Sequence, residues 1–74
     1  MFTIKVVSKS SGKPASGRRV SVGFDGLLRG HTKDQRTDPQ GEAHFDSDPG
    51  SGTVYVDGSS AHKGRIEGRV VVYV

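Results

Sequence analysis

Short alternations of apolar and polar residues, each stopped within a few positions by glycine, proline or Asp-Gly, run the length of this chain. Phe2-Thr3-Ile4-Lys5-Val6 alternates with period two, which predicts a strand that buries Phe2, Ile4 and Val6. Val20-Ser21-Val22-Gly23-Phe24 repeats the pattern, with Val20, Val22 and Phe24 inward, before Asp25-Gly26 turns the chain. No window sustains a helical period. A chain punctuated this way is expected to be all-β.

Other segments extend the pattern. Ser8 to Gly17 is rich in Ser, Gly, Lys and Pro and reads as a loop. Leu27-Leu28 reads as a short strand or a bend, Gly30 to Asp34 as a polar loop, and Gln35 to Thr37 as the start of another strand. Asp38-Pro39-Gln40-Gly41 suits a tight turn. Pro39 fixes φ, Gly41 closes the turn, and the Asp38 carboxylate can accept from the backbone two residues on. The segment is therefore expected to be a hairpin, with Ala43 and Phe45 inward and Glu42, His44 and Asp46 facing water. Asp48 to Gly52 reads as the next turn and Thr53 to Asp57 as a strand. Asp57-Gly58 is a hairpin signal, and Ala61 to Arg65 is expected to pair back weakly. Ile66 to Val74 reads as a closing strand broken or bulged near Gly68. About seven short strands at such spacing describe a sandwich or small barrel.

Size limits what such a fold can be. Seventy-four residues make one domain, and a chain this short buries only about 60–65% of the surface that its unfolded form exposes. The apolar fraction is 31% and there is no cysteine, so neither a large core nor a disulfide supports the fold. Strand pairing, a partner subunit or neighbouring domains must supply the rest. The formal net charge of +3 is mild, and the cations are scattered, with Arg18-Arg19 the densest stretch. Nucleic acid is therefore not the expected partner. Arg18, Arg19, Arg29, Arg36, Lys63, Arg65 and Arg69 come from several strands and loops and can form a basic face, but a solvated, mixed-sign surface is expected because Asp and Glu are interspersed. The longest apolar run, Val70 to Val74, is far short of the roughly 20 residues of a membrane helix. With no signal-peptide pattern at its start, the chain is expected in the cytoplasm if it is complete.

Three stretches in order carry a family resemblance. "SGKPASGRRVSV" (11–22), "RTDPQGEAHFD" (36–46) and "DPGSGTVYV" (48–56) resemble the opening, the Thr-Asp-x-x-Gly hairpin and the following strand of carboxypeptidase regulatory-like domains. The match spans roughly positions 4 to 57. It implies a single domain over 1–74 with a small Greek-key β-sandwich of prealbumin-like (transthyretin-like), immunoglobulin-like architecture, in which the first and last strands are neighbours. Family members serve as structural domains, stalk modules and sugar-binding modules, and one branch hydrolyses a purine breakdown product. This chain departs from that branch. It ends Val72-Tyr73-Val74 rather than Tyr-Arg-Gly-Ser, and the branch's paired histidines with an arginine are not recognisable.

Few residues suggest chemistry. His31, His44 and His62 lack His-x-His or His-x-x-x-His spacing. They read as one exposed loop histidine and two on solvent-facing strand positions, not as metal ligands or a general base. Asp46 and Asp48, with Asp38 and Glu42 nearby, read as turn residues rather than a calcium loop, since Pro49 interrupts and no glutamate follows at the right spacing. No serine lies in a Gly-x-Ser-x-Gly elbow, and no glycine stretch ends in Gly-Lys-Ser/Thr. No catalytic residue, cofactor or metal is expected, and the chain reads as a non-enzyme.

The closing strand is more informative. Val70, Val72 and Val74 suffice for a core face, leaving Val71 and Tyr73 to point outward, beside Val7 in the implied topology. Two readings stay open: the Val7, Val71, Tyr73 patch is an interface for self-association or a protein partner, or the loop from Ser8 to Gly17 covers it. The expected function is thus a protein-contact module, working as a homo-oligomer or as an accessory domain. The alternative is a module that binds carbohydrate or an acidic polymer through Arg29, His31 and Tyr55. The absence of tryptophan counts against sugar binding.

Overall fold

The structure, a computed structural model, describes residues 1–26 and 30–74. It is all-β, without a helix among the described residues. The strands are β1 (Phe2–Val7), β2 (Arg19–Phe24), β3 (Gly30–His31), β4 (Gln35–Arg36), β5 (Glu42–Phe45), β6 (Gly50–Val56), β7 (Ser59–Ile66) and β8 (Gly68–Tyr73). Two of them, β3 and β4, are only two residues long.

They form two sheets. The first has the order β5-β1-β8 and the second β3-β2-β6-β7, with β4 also pairing β2. β1 is antiparallel to β5 and parallel to β8, with Phe2 opposite Gly68 and Val7 opposite Tyr73. First and last strands are thus neighbours. The inward faces share one core: Phe2, Ile4, Val6, Ala43, Phe45 and Val72 from the first sheet, Val20, Val22, Val54, Val56 and Ile66 from the second. This is the arrangement of a small β-sandwich. Phe2 joins its parts. It stacks on Phe45 across the β1–β5 pair (centroids 5.2 Å apart) and meets Phe24 of the other sheet edge to face at 5.9 Å and 81°. Phe24, Val70 and Val74, all expected inside, are partly buried and pack against this core.

Several expectations need correction. The Asp38 to Gly41 turn forms as read: the Gly41 N–H donates to the Asp38 carbonyl (2.8 Å), and Asp38 Oδ1 accepts from the Gln40 N–H (2.9 Å) and the Glu42 N–H (3.0 Å). It does not close a hairpin ladder, because β4 pairs with β2 in one sheet and β5 with β1 in the other. The turn is a crossover between sheets, and its two ends are held by different parts of the chain, the segment that leads into β2 and β1. On one side the buried Thr37 hydroxyl donates to the Ala15 carbonyl (2.7 Å) and accepts from the Arg18 N–H (2.9 Å). On the other, the Gly41 carbonyl accepts from the Val6 N–H at 2.7 Å.

Gly30 to Asp34 does not loop out as a whole. Gly30–His31 pairs with β2, and Thr32 donates its N–H to the Val22 carbonyl (2.8 Å) while its hydroxyl accepts from the Val22 N–H (3.0 Å). The turn expected over Asp48 to Gly52 ends sooner, since β6 begins at Gly50. Gly50 and Gly52 are buried strand residues, and a Cβ on Gly52 would collide with the Gly23 carbonyl oxygen. Glycine here permits close approach of β2 and β6.

β7 is longer than expected, pairing with β6 from Ser59 to Ile66 around a bulge near Tyr55. The tight turn explains it: Asp57 (φ 51°) and Gly58 (φ 86°) take the left-handed conformations of a two-residue hairpin turn, which sets the β7 register despite its weak strand composition. Leu27-Leu28 lies outside the described residues.

Candidate interaction surface

Cross-strand partners share a face of a sheet, so the register defines what each sheet shows to solvent. On the outer face of the first sheet Glu42 stands opposite Lys5, Lys5 opposite Val71, Thr3 between His44 and Arg69, and Val7 opposite Tyr73. One end of this face is polar. Arg69 on β8 reaches across β1 to Glu42 on β5 (2.8 Å), and Thr3 Oγ1 and His44 Nδ1 share a hydrogen bond of 2.8 Å. The other end is apolar. Val71 is 43% exposed and Tyr73 55%, with the half-buried Val7 between Tyr73 and the loop that follows β1.

The two readings of this patch separate here. The Ser8 to Gly17 loop is tied to strand ends, through Lys9 N–H to the Val74 carbonyl (2.8 Å) and Ala15 N–H to the Val6 carbonyl (2.9 Å). It leaves Val71 and Tyr73 open to solvent. β8 is also the edge strand of its sheet, so one of its edges pairs with no strand among the described residues. Beside Tyr73 and Val74 lies a shallow cleft of about 270 Å³, whose far wall is formed by Val56, Asp57 and Ala61. Asp57 there is charged more readily than an ordinary carboxyl group. The Arg18 guanidinium bonds its Oδ2 (2.8 Å), the Arg19 N–H donates to its Oδ1 (3.1 Å), and together they hold its pKa below the usual 3.8.

The alternative surface is half visible. His31 and Tyr55 do come together, stacked with centroids 5.8 Å apart at 29°, whereas Arg29 lies outside the described residues. His31 is exposed as expected, on β3 rather than in a loop. His44 is exposed on β5. His62 departs from expectation. It stands opposite the buried Val54 and is half-buried, with Nε2 enclosed and without a hydrogen-bond partner among the described residues.

Sequence reasoning misses one polar grouping. Asp38, Glu42 and His44 bring a donor atom each within 4.8 Å of one another, and His44 Nε2 lies 3.9 Å from both Asp38 Oδ2 and Glu42 Oε1. The alternation places Glu42 and His44 on one face, but only the crossover turn brings Asp38 beside them. The group sits on an open sheet face, with Glu42 already paired to Arg69 and Asp38 already capping its turn. The Thr3 hydroxyl meets the same imidazole at Nδ1, and this side of the group lies on the exposed outer face of the sheet.

No family model, curated protein sequence or solved structure matches this chain. No helix among the described residues is long and apolar enough to cross a membrane.

Proposed function

We propose that this chain is a non-enzymatic module that acts through protein–protein contact, and that Val7, Val71, Tyr73 and the free edge of β8 form its contact surface. The observation that carries the proposal is the pair Val71 and Tyr73, exposed side by side on an edge strand of a domain with a thin core. An exposed strand edge can add a further strand. A second copy of β8 laid antiparallel about Val71 would set Val71 against Val71 and each Arg69 against the Tyr73 of its neighbour, a self-complementary set of apolar and cation–π contacts. We further propose the finer topology, a Greek-key prealbumin-like sandwich, on the strength of the resemblance to carboxypeptidase regulatory-like domains.

Light scattering across a concentration series tests the surface. A dimer is expected, and Val71→Lys is expected to shift it to monomer while leaving the thermal midpoint at low concentration unchanged. A wild-type mass that is monomeric throughout moves the proposal to a different protein partner. An oligomer whose mass Val71→Lys does not alter removes the patch from consideration.

A further inference from the structure

The outer face of the second sheet is chemically unlike that of the first. Register places Arg19 opposite Arg36, Gly23 opposite His31, Ser21 opposite Tyr55, Thr53 opposite Lys63 and Ser51 opposite Arg65. Arg19, Arg36, Lys63 and Arg65 are all exposed. None of the five strands of this sheet contains an Asp or a Glu. Among the described residues, carboxylates approach the face from its margins: Asp34 toward Arg19 at 3.6 Å, Asp57 at the Arg19 N–H (3.1 Å) and Glu67 toward Arg65 at 3.4 Å. Lys63 has no ion pair among the described residues. The Arg19–Arg36 juxtaposition is unfavourable in itself, since like charges directly opposite each other destabilise a strand pair.

The middle of this face is aromatic. A Cβ at Gly23 would come within 2.7 Å of His31 Nε2, so the missing side chain is what lets the imidazole settle onto the sheet. There it stacks on Tyr55, 5.8 Å away, making a two-ring platform that runs from β3 over β2 to β6. Hydroxyl groups of Ser21 and Thr53 flank it on β2 and β6.

We propose that this face binds single-stranded nucleic acid, with bases stacking on the His31–Tyr55 platform and phosphates held by Arg19, Arg36, Lys63 and Arg65. Charge complementarity and ring type select this occupant. Bases stack on imidazole, phenol and guanidinium planes alike, and a cationic surface with stacking rings is the general design for single-strand binding. An acidic polysaccharide would satisfy the cations but would make poorer use of an imidazole, and the chain has no tryptophan. These cations are not contiguous in the sequence; strand pairing places them on one face of the sheet.

The experiment is fluorescence anisotropy of a labelled oligodeoxythymidylate of about 12 nucleotides at low and moderate salt. Binding that weakens with salt is expected. Tyr55→Ala and, separately, the exposed His31→Ala are each expected to weaken it about tenfold. Lys63→Gln is expected to weaken it and to reduce the salt slope by about one. Val71→Lys, on the other sheet, is expected to leave it unchanged, which keeps this proposal independent of the protein-contact surface. Circular dichroism of each variant confirms the fold. Absence of binding at low salt overturns the proposal. So does full retention of affinity in folded His31→Ala and Tyr55→Ala together, which would reduce the face to a non-specific cationic surface. Tighter binding of an acidic polysaccharide, lost in the same two variants, would reassign the site to that class of polymer.

Discussion

At Thr37 one hydroxyl holds a whole corner of the molecule. It is 5% exposed, donates to the Ala15 carbonyl and accepts from the Arg18 N–H, while its own N–H donates to the Arg18 carbonyl. Thr37→Val keeps the shape but removes the partner of two main-chain groups in a partly buried place. Equilibrium unfolding in urea is expected to show a loss of about 2–3 kcal/mol; a loss under about 0.5 kcal/mol would mean that the side chain bonds count for little. Asp57 gives a pH-dependent counterpart. Its lowered pKa means that charged Asp57 stabilises the fold above 3.8, and that this contribution disappears as pH falls through the lower native value. Asparagine tolerates the left-handed backbone found at Asp57 (φ 51°), so Asp57→Asn removes the charge with little strain. Wild type is expected to be more stable than Asp57→Asn at neutral pH, and the two thermal midpoints to converge in acid. A gap that persists unchanged in acid would refute the linkage. Of these two residues the sequence announces one role only in part. Asp57-Gly58 reads as a turn, but the partners of Thr37 lie in a loop that no local pattern connects to it.

The β6–β7 hairpin shows what governs legibility at the level of elements. Alternating apolar and polar residues make β1, β2 and the Ala43/Phe45 face of β5 readable, because there local pattern and burial agree. The full length of β7 is not readable, because Ser59-Ser60-Ala61-His62-Lys63-Gly64 has neither alternation nor β-branched residues; its pairing is imposed by the turn and by β6. The glycines of β6 read as turn formers for a related reason. A glycine that permits a turn and one that permits close packing look the same in a sequence. Substitution tells them apart. A side-chain carbon added at Gly58 (φ 86°) would meet nothing within 4 Å, so Gly58→Ala is expected to cost only the left-handed backbone penalty, about 1–2 kcal/mol. Gly52→Ala forces β2 and β6 apart and is expected to cost more than about 3 kcal/mol or to prevent folding. Thermal melts in which Gly58→Ala proves the more damaging would contradict this account of the hairpin.

On the scale of the whole molecule, two thin sheets share one small core, and the fold class is legible for that reason: seventy-four residues, no cysteine and short alternations leave little else. Stability should be sensitive to any core loss. Val54 is fully buried between the sheets, and Val54→Ala is expected to cost about 2–3 kcal/mol. At about 4–8 °C per kcal/mol for a domain this size, the thermal midpoint should fall by about 10–20 °C. A fall of only a few degrees would show that the sandwich collapses readily around a gap. The surfaces are less legible than the core. Val7, Val71 and Tyr73 stand out because they lie on the first and last strands, where a surplus of apolar residues is visible in the chain. The cationic face stands out less, because its four cations come from β2, β4 and β7 and acidic residues are interspersed with them along the chain.

The parallel pairing of β1 with β8 sets an order of events during synthesis. Every partner in that pairing is sixty-six positions away, from Phe2 with Gly68 to Val7 with Tyr73. β1 lies in the middle of its sheet, so it has a neighbour on only one side until Gly68 to Tyr73 has left the ribosome. The β6–β7 hairpin needs only local closure and β2 a shorter one, so the second sheet can assemble first and serve as the floor on which β1 and β8 are laid. Until then Phe2, Ile4 and Val6 have an incomplete shelter. A nascent chain stalled before Gly68 is thus expected to be sensitive to protease between Phe2 and Val7, and the emergence of β8 is what completes the protection of β1.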